Sequence, residues 1–517
     1  MNELFRAMVP EIVLCVVAGI LILMGVSRSP HVRRFCPVLA IAALLIAALT
    51  QLSAFNGHAQ IADKWQTVRI TEFARYVKLL SSVVGILLVM LAWPSDEDAT
   101  GNAALSFGSE AGEFYGLMLL SIAGIFVVAG ASDIMLLFLG IELASIPTYI
   151  MVSVSRPLAV AQEAGVKYFF LGAMAAALML FGFSYLYGTT GTTKLDEIQF
   201  KLASAAITPW QTLAVIMLIG GFAFKMAVVP LHAYVGDVYQ GAATPVTAFL
   251  SYVPKISGFV ALLKVLFAVT GGGWLASPEI IKLIWVLAAL TMTVGNILGI
   301  VQAQNVKRML ACSSIAHSGY MLVAVAALIT TADPNIQNDA LRGILFYLTA
   351  YAIMNIGAFG VLILLPSKKA QAATSAETLE DLAGQGTQHP FLALAMAVSC
   401  FSLIGLPLTV GFFGKIFLIV PAWEAQLNWL VVILVINAAI SAAYYLRIVA
   451  AMFLRPLATD ADGEARPAAE RSLPVLASVC VSMVAVLWLG IALPATARLT
   501  TRATTAAHME KIATATP

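Results

Sequence analysis

Charged side chains are scarce in this chain: aspartate, glutamate, lysine and arginine make up 11% of its 517 residues. A soluble domain carries about 25% charged residues, so the scarcity argues against a soluble enzyme. The formal net charge of +2 also argues against a nucleic-acid partner, which requires a clustered basic face. Because 61% of the residues are hydrophobic, the composition predicts a polytopic membrane protein.

Cysteine is rare as well. The five cysteines form no CxxC pair, and most lie inside apolar runs: Cys15, Cys36, Cys312, Cys400 and Cys480. Zinc and iron–sulfur sites need clustered thiolates. We therefore expect neither a metal nor a cluster in this chain, and we expect the cysteines to pack as small buried hydrophobic residues.

Long polar connections are missing too. The longest run over 55–76, 94–113, 189–208, 366–390 and 455–472, and none is long enough for a soluble catalytic domain. A spanning helix needs about 20 apolar residues. We predict fourteen spans, at 8–26, 36–54, 77–93, 114–132, 133–153, 164–187, 209–232, 243–269, 279–302, 311–330, 341–365, 391–420, 428–453 and 473–494. The first is predicted as a retained helix, because no small-residue cleavage site follows it.

The distribution of basic residues favours one orientation only by a small margin. Those after the first and ninth spans favour cytoplasmic odd-numbered connections: Arg28, Arg33, Arg34, Lys307 and Arg308. With an even number of spans, both termini would then lie on the periplasmic side. The connection after the second span opposes this orientation with Lys64, Arg69, Arg75 and Lys78.

Four charged residues nevertheless fall near the middle of predicted spans: Glu142, Lys225, Lys255 and Lys415. A charge at the centre of a membrane costs roughly 2.5–3.5 kcal/mol on insertion scales, so it indicates function by default. Glu142 stands nine residues after Asp133, about 13 Å into its helix at 1.5 Å per residue. A residue of opposite charge is the partner that would stabilise Glu142 most, and Lys225 is the candidate.

A Glu142–Lys225 pair predicts a proton switch. Burial and a nearby carboxylate act in opposite directions on the proton affinity of a lysine, so forming and breaking the pair would bind and release a proton. The alternative is a fixed ion pair that orders the helices. Pro230 and Pro254 lie close to Lys225 and Lys255, and proline frees backbone carbonyls that protein or a water-filled cavity must satisfy.

A short motif recurs in the second half of the chain. GFAFK at 221–225 is matched by GFFGK at 411–415, and both place lysine four residues after glycine in a proline-interrupted segment. Corresponding broken segments in two halves are the best sequence indication of a transport site. A match of five residues by chance is the alternative.

Further polar residues have two interpretations each. His232 and His317 are proton-relay candidates because imidazole titrates near neutrality, or they are hydrogen-bonded packing residues. Glu163 and Lys167 have the i,i+4 spacing of an ion pair near the membrane surface. Asp237 is expected in a connector at the membrane face.

The stretch FKMAVVPLHAYVGDVYQGAATPVTAFLSYVPKISGF, at 224–259, resembles the signature region of the antiporter-like subunits of respiratory complex I. Supporting stretches are GIELASIPTYI, VKYFFLGA, QNVKRMLACSSIAHSGY and IGLPLTVGFFGKIFL, and the resemblance covers about 110–455. Within that family, TAFLSYVPKISGF is similar to the bacterial N-type members, the counterparts of mitochondrial subunit two. The connector AYVGDVYQGAATP and the single proline of LPLT depart from the family pattern, so local differences are expected there.

The resemblance implies an all-α polytopic membrane protein with two inverted five-helix repeats, spans 4–8 and 9–13, in which helices 7 and 12 are broken. The implied divisions of the chain are a three-helix segment at 1–110, a first repeat at 111–270, a second repeat at 271–455, and a C-terminal helix and tail at 456–517. Each repeat would contain one half-channel.

The implied function is proton translocation in the membrane arm of NADH–quinone oxidoreductase. By resemblance, Glu142 controls the central lysine Lys225, Lys255 connects the halves, Lys415 ends the path, and His317 hydrates the route. This chain would be a non-redox subunit without a cofactor, in the bacterial inner membrane with its termini on the periplasmic side. Flavin, iron–sulfur clusters and quinone would belong to partner subunits, and its neighbours would be other antiporter-like and small membrane subunits, with lipids.

Three alternative functions remain at the level of sequence. An Mrp-type cation/proton antiporter needs oxygen ligands for its cation, which Lys255 would repel. A quinone-binding subunit needs a headgroup site, and the sequence shows no clear one. A purely structural assembly subunit predicts that neutralising Lys225 leaves pumping intact.

Overall fold

The computed structural model describes residues 8–27, 29, 32, 34–54, 61–62, 67–93, 111–156, 159–203, 207–367, 376–456 and 472–491. The helices of the first half are α1 (Val9–Gly25), α2 (Cys36–Ala54), α3 (Glu72–Leu91), α4 (Ala111–Gly130), α5 (Ile134–Val154), α6 (Ala159–Thr190), α7 (Leu195–Ala203), α8 (Pro209–Lys225), α9 (Val235–Gly241) and α10 (Thr244–Val269). Two short strands, β1 (Ile61–Ala62) and β2 (Arg69–Ile70), pair antiparallel with Ile61 opposite Ile70.

The helices of the second half are α11 (Pro278–Val301), α12 (Val306–Thr330), α13 (Pro334–Leu364), α14 (Leu379–Leu382), α15 (Gln385–Gln388), α16 (Pro390–Ile404), α17 (Val410–Glu424), α18 (Asn428–Leu454) and α19 (Leu473–Ile491). In the described part of the chain, ten helices are long and apolar enough to cross a membrane: α3, α4, α5, α6, α10, α11, α12, α13, α18 and α19. The prediction of an all-α polytopic membrane protein is confirmed.

Prolines and polar caps explain where many helices begin. Proline suits the first helical turn because its fixed φ and missing N–H cost nothing there. Prolines stand in the first turn of α1, α8, α10, α11, α13 and α16. The Asp133 carboxylate accepts hydrogen bonds from the N–H groups of Met135 (2.8 Å) and Leu136 (3.4 Å), so α5 begins at Ile134, next to the predicted boundary between the fourth and fifth spans.

The N-terminal end of α3 differs from the sequence prediction, which counted Arg75 and Lys78 among the charges of a connection. The Thr71 hydroxyl accepts a hydrogen bond from the N–H of Ala74 (3.2 Å), so the helix already begins at Glu72. Lys78 is wholly buried, and its ammonium lies 2.5 Å from the Glu11 carboxylate of α1. Neither residue therefore belongs in the count of connection charges.

Burial divides the helices into a centre and a periphery. Helices α10, α12 and α13 are buried along most of their length, whereas α6, α11, α18 and α19 turn broad apolar faces outward, as helices in contact with lipid do. The cysteines follow the same division. Cys36, Cys312 and Cys400 are buried as expected, but Cys15 is exposed and Cys480 half-buried on outward faces. Candidate residues on α10 and α12 are thus held in the interior.

Candidate functional site

The predicted seventh span is interrupted. Its helix, α8, ends at Lys225, and a turn with Ala227 at φ 59° leads to α9. The interruption frees carbonyl groups, which protein hydroxyls satisfy: Tyr234 donates to the Phe224 carbonyl (2.8 Å) and Ser318 to the Met226 carbonyl (2.5 Å). Non-helical backbone inside a membrane needs partners of this kind. The predicted span reached residue 232, so the helix itself is shorter than expected.

Lys225 lies at the end of α8 against one face of α5. Its ammonium donates to the Glu142 carboxylate (3.1 Å), the Ser145 hydroxyl (2.8 Å) and the Tyr149 hydroxyl (3.0 Å). Its side chain is only 1% exposed. The expected Glu142–Lys225 contact is therefore present. Sequence reasoning missed Ser145 and Tyr149, although spacings of three and seven residues from Glu142 place them on the same helical face.

A close approach between α5 and α6 holds Tyr149 in place. The ring of Tyr149 packs on Gly172, where an added Cβ would lie 2.3 Å from the Tyr149 hydroxyl oxygen. Tyr149 also packs edge-to-face on Tyr168, with ring centroids 4.6 Å apart. Only a residue without a side chain at 172 leaves room for this hydroxyl beside Lys225.

We expect Gly172→Ala to displace Tyr149 and weaken proton translocation. A hydrogen bond to a charged group contributes about 1.5–3 kcal/mol, so its loss is expected to slow translocation by roughly ten- to a hundredfold. The measurement is NADH-driven proton uptake in vesicles, normalised to assembled protein. Gly188→Ala on the same helix is the matched control, because nothing lies within 4 Å of the added Cβ. Equal rates for the two variants would contradict the role of Tyr149.

Lys255 is buried in the middle of α10. Its ammonium donates to the backbone carbonyl (2.6 Å) and the hydroxyl (2.8 Å) of Ser314 on α12. It also lies 4.3 Å from the ring centroid of Tyr351, a cation–π distance. Within the described ranges, Lys255 makes no ion pair with a carboxylate.

A small cavity lies between Lys225 and Lys255. Its walls include Tyr168, Tyr234 and Tyr239 together with the two lysines. It offers about 20 Å³ to the centre of a water molecule, and roughly 10–15 Å³ is enough for one water that has polar partners. The cavity therefore has room for a water molecule in contact with polar groups of its walls.

His317 lies between the surroundings of Lys255 and those of Lys415. Its Nδ1 shares a hydrogen bond with the Tyr347 hydroxyl (2.8 Å) and its Nε2 with the Tyr445 hydroxyl (3.3 Å). Its ring stands 5.0 Å from that of Tyr351, which covers Lys255. Both imidazole nitrogens are thus engaged with hydroxyl groups, so the ring is part of a buried polar network.

Lys415 closes the second interruption, between α16 and α17. Its ammonium donates to the carbonyls of Leu403 (3.1 Å) and Ile404 (2.6 Å), at the end of α16. The last carbonyls of a helix lack partners within it and favour a cation. Gly405 follows at φ 90°, a conformation that glycine adopts without strain. The ammonium also lies 5.0 Å from the Tyr320 ring, which stands 5.4 Å from the ring of His317.

The other predicted residues fall in two places. Lys167 pairs with Glu163 (2.7 Å), as its spacing indicated, and also with Asp237 (2.9 Å) on α9. His232 lies in the turn after α8, where its Nδ1 is buried without a hydrogen-bond partner among the described residues. In that same part of the chain, no hydrogen bond or ion pair joins His232 to the buried lysines. Its relay role stays a prediction.

These features define a class: a polytopic helical membrane protein with titratable groups buried between its helices and at two helix interruptions. The family profile described as "NADH:quinone oxidoreductase/Mrp antiporter, TM" matches residues 131–441. NADH-quinone oxidoreductase subunit N of Trichlorobacter lovleyi is 36% identical over 459 residues, covering 87% of this chain and 88% of the relative. That of Myxococcus xanthus is 40% identical over 405 residues, covering 74% and 76%. The chain belongs to the NADH-quinone oxidoreductase subunit N family.

Solved structures agree with this assignment. A chain of respiratory complex I from Thermus thermophilus is 29% identical, with a TM-score of 0.73 over 94% of this chain and 98% of that one. A chain of the Mrp complex from a Dietzia species reaches a TM-score of 0.78 over 96% and 97%, but at 19% identity it shares the fold alone. The predicted resemblance is therefore confirmed.

Proposed function

We propose that this chain translocates protons as a membrane-arm subunit of NADH–quinone oxidoreductase. The observation that carries the proposal is the Lys225 ammonium, buried at a helix interruption and held by the Glu142 carboxylate and two hydroxyls. The chain is a non-redox part of an H⁺-translocating enzyme. Moving one charge against 100 mV costs about 2.3 kcal/mol. Quinone reduction in other subunits provides this energy.

In the first half of the path, Glu142 controls the charge of Lys225. The carboxylate stabilises the protonated lysine, and separation of the pair releases the proton toward the cavity. Waters in the cavity pass it to Lys255, whose ammonium is received by Ser314. Tyr149 and Ser145 keep Lys225 hydrogen-bonded as it moves, because an unpaired amine in this interior would be costly.

In the second half, His317 connects Lys255 to Lys415. Its two hydroxyl partners give both ring nitrogens a route for proton exchange. The Tyr351 and Tyr320 rings stabilise the two lysine cations at either end. Lys415 is the terminal site, where the carbonyls at the end of α16 hold the arriving charge.

The wider architecture belongs to the same proposal. Fourteen spans form two inverted five-helix repeats, spans 4–8 and 9–13, within the ranges 111–270 and 271–455; 1–110 and 456–517 flank them. Every predicted span overlaps a helix, and interruptions occur at both expected places, which supports this layout. Both termini are proposed on the periplasmic side of the bacterial inner membrane; they lie outside the described residues, as do Arg28, Arg33 and Lys64.

The partners are other antiporter-like and small membrane-arm subunits, with lipid around the outer helices. Flavin, iron–sulfur clusters and quinone belong to partner subunits, and this chain holds no cofactor. The Mrp-type alternative requires a metal cation beside the path. The cavity described above has two lysines in its walls, which disfavours such a cation.

The test is NADH-driven proton translocation by the assembled complex in vesicles, with and without sodium. We expect equal proton-to-electron ratios in both buffers. We expect His317→Phe, which removes both ring nitrogens, to lower the ratio while the complex stays assembled. A ratio that requires sodium would favour the antiporter. An unchanged ratio in His317→Phe would remove this histidine from the path.

A further inference from the structure

An ion cluster lies outside the line of buried lysines. The Glu377 carboxylate accepts hydrogen bonds from the Lys307 ammonium (3.1 Å) and from the Arg156 guanidinium. Lys307 is wholly buried, and the other two side chains are nearly so. These residues come from three distant parts of the chain, so Glu377 joins segments that the sequence does not bring together.

The backbone holds Glu377 at the start of α12. The N–H of Val306 donates to the Glu377 carbonyl (2.8 Å), and the N–H of Leu379 donates to the Gln304 carbonyl (3.2 Å). The Asp381 carboxylate accepts from the Glu377 N–H (3.0 Å). The side chain therefore extends from a fixed point toward Lys307 and Arg156.

The basic residues that begin α12 also hold the connector α9. Besides Glu377, Lys307 donates to the carbonyls of Ala242 (2.5 Å) and Gln240 (3.3 Å), where α9 passes into α10. Its neighbour Arg308 donates to the Gln240 side chain and to the Asp237 carboxylate. Two consecutive basic residues of α12 thus contact α9 and the residues that follow it.

The position of α9 matters to the surroundings of Lys255. Tyr239 of α9 shares a hydrogen bond with the Ser314 hydroxyl (3.4 Å), the same hydroxyl that accepts from Lys255 (2.8 Å). All three residues line the cavity between the lysines. Arg156 follows the end of α5, the helix that carries Glu142. The cluster therefore contacts elements on both sides of the proposed path.

In this ion cluster, the Glu377 carboxylate is the shared negative partner of Lys307 and Arg156. Burial raises the pKa of the Glu377 carboxyl, but Lys307 and Arg156 together outweigh burial and lower it. Glu377 is therefore ionised at neutral pH. Removing its charge would leave two neighbouring buried cations without their shared carboxylate, a strongly unfavourable arrangement.

We propose that Glu377 is a positioning residue that fixes α9 through Lys307 and so sets the Tyr239–Ser314–Lys255 contacts of the proton path. This inference rests on the proposed function. Glu377 lies in the loop before α14, far from Lys225 and Lys255 in sequence, so the sequence alone does not indicate this role. Glu377 itself transfers no proton in this scheme.

The experiment compares three variants of the assembled complex. Glu377→Gln removes the charge but keeps the size, and Glu377→Gln combined with Arg156→Gln restores the original net charge of the cluster. Asp339→Asn, in an exposed pair with Arg342 on α13, is the matched control. Two readouts are taken: amide hydrogen exchange over 235–243, where the Ala242 N–H donates to Val238 (3.0 Å), and protons pumped per electron.

In Glu377→Gln we expect exchange over 235–243 to rise by about tenfold, as when a charged hydrogen-bond partner is lost, and the pumping ratio to fall. In the double variant we expect both amide exchange and the pumping ratio to return most of the way to normal. Loss of the Arg156 charge offsets loss of the Glu377 charge, because the two side chains interact directly. Unchanged exchange in Glu377→Gln overturns the inference, and so does faster exchange with an unchanged ratio. Neither result tests Lys225, so either could occur whether the proposed function is right or wrong.

Discussion

In a Lys225→Met variant that assembles, NADH–quinone electron transfer and proton translocation are expected to fall together by more than about tenfold. Methionine removes the titratable group and leaves the Glu142 carboxylate without its ion partner. Breaking a buried pair in this way costs about 3–5 kcal/mol. The measurement is oxidation of NADH and proton uptake recorded together in vesicles, normalised to the amount of assembled complex.

A Lys225→Arg variant separates a proton switch from a fixed ion pair. Arginine keeps the positive charge beside Glu142 but does not lose its proton in proteins. If Lys225 must release a proton, this variant is expected to be as inactive as Lys225→Met. If both variants pump at the normal rate, the central-switch interpretation is wrong and a structural subunit is favoured. Activity restored by arginine alone would identify a fixed pair.

The second large effect is expected from Lys255→Met. Lys255 stands between the cavity and the His317 network, so its loss interrupts the path where the two halves meet. We expect protons pumped per electron to fall, with electron transfer reduced less than in Lys225→Met, because the Glu142–Lys225 pair stays intact. Simultaneous recording of both rates in sealed vesicles distinguishes the two variants.

Lys264→Met is the matched control for that experiment. Lys264 lies on the same helix, α10, and its ammonium donates to the Ala131 carbonyl (2.7 Å), away from the cavity that Lys255 lines. Its variant is expected to keep the normal ratio. Equal losses in the two variants would indicate a general effect of charge removal from α10, and an intact ratio in Lys255→Met would exclude this lysine from the path.

The Glu142–Lys225 contact could be predicted because burial restricts the choice. A carboxylate about 13 Å into an apolar helix needs a counter-ion, and few cations occur at similar depth in the sequence. The contacts of Lys255 could not be predicted in this way. Its partners are a serine hydroxyl and a backbone carbonyl on α12, and such neutral groups occur in every span. Tertiary packing alone selects Ser314.

Helix ends were the other weak point of the sequence prediction. The hydrophobic pattern at 391–420 indicated one span, and the family resemblance implied a break in it. Gly405 and Leu408 both adopt positive φ and divide this segment into α16 and α17. Lys415 then donates to carbonyl groups that lack helical partners only because the helix ends there. Similarly, Arg75 was assigned to a connection because the cap at Thr71 that starts α3 is a local hydrogen bond, which a hydrophobic pattern does not reveal.

Helix α12 contacts both the first interruption and Lys255 of α10, and this sets a limit on how its sequence can evolve. Ser318 anchors the Met226 carbonyl of the first break, while Ser314, one turn earlier, receives Lys255. Inserting or deleting one residue between them would rotate the two serines by about 100° relative to each other. Substitutions can accumulate along this helix one at a time, but a change in its length would have to be matched at once in two other segments of the chain.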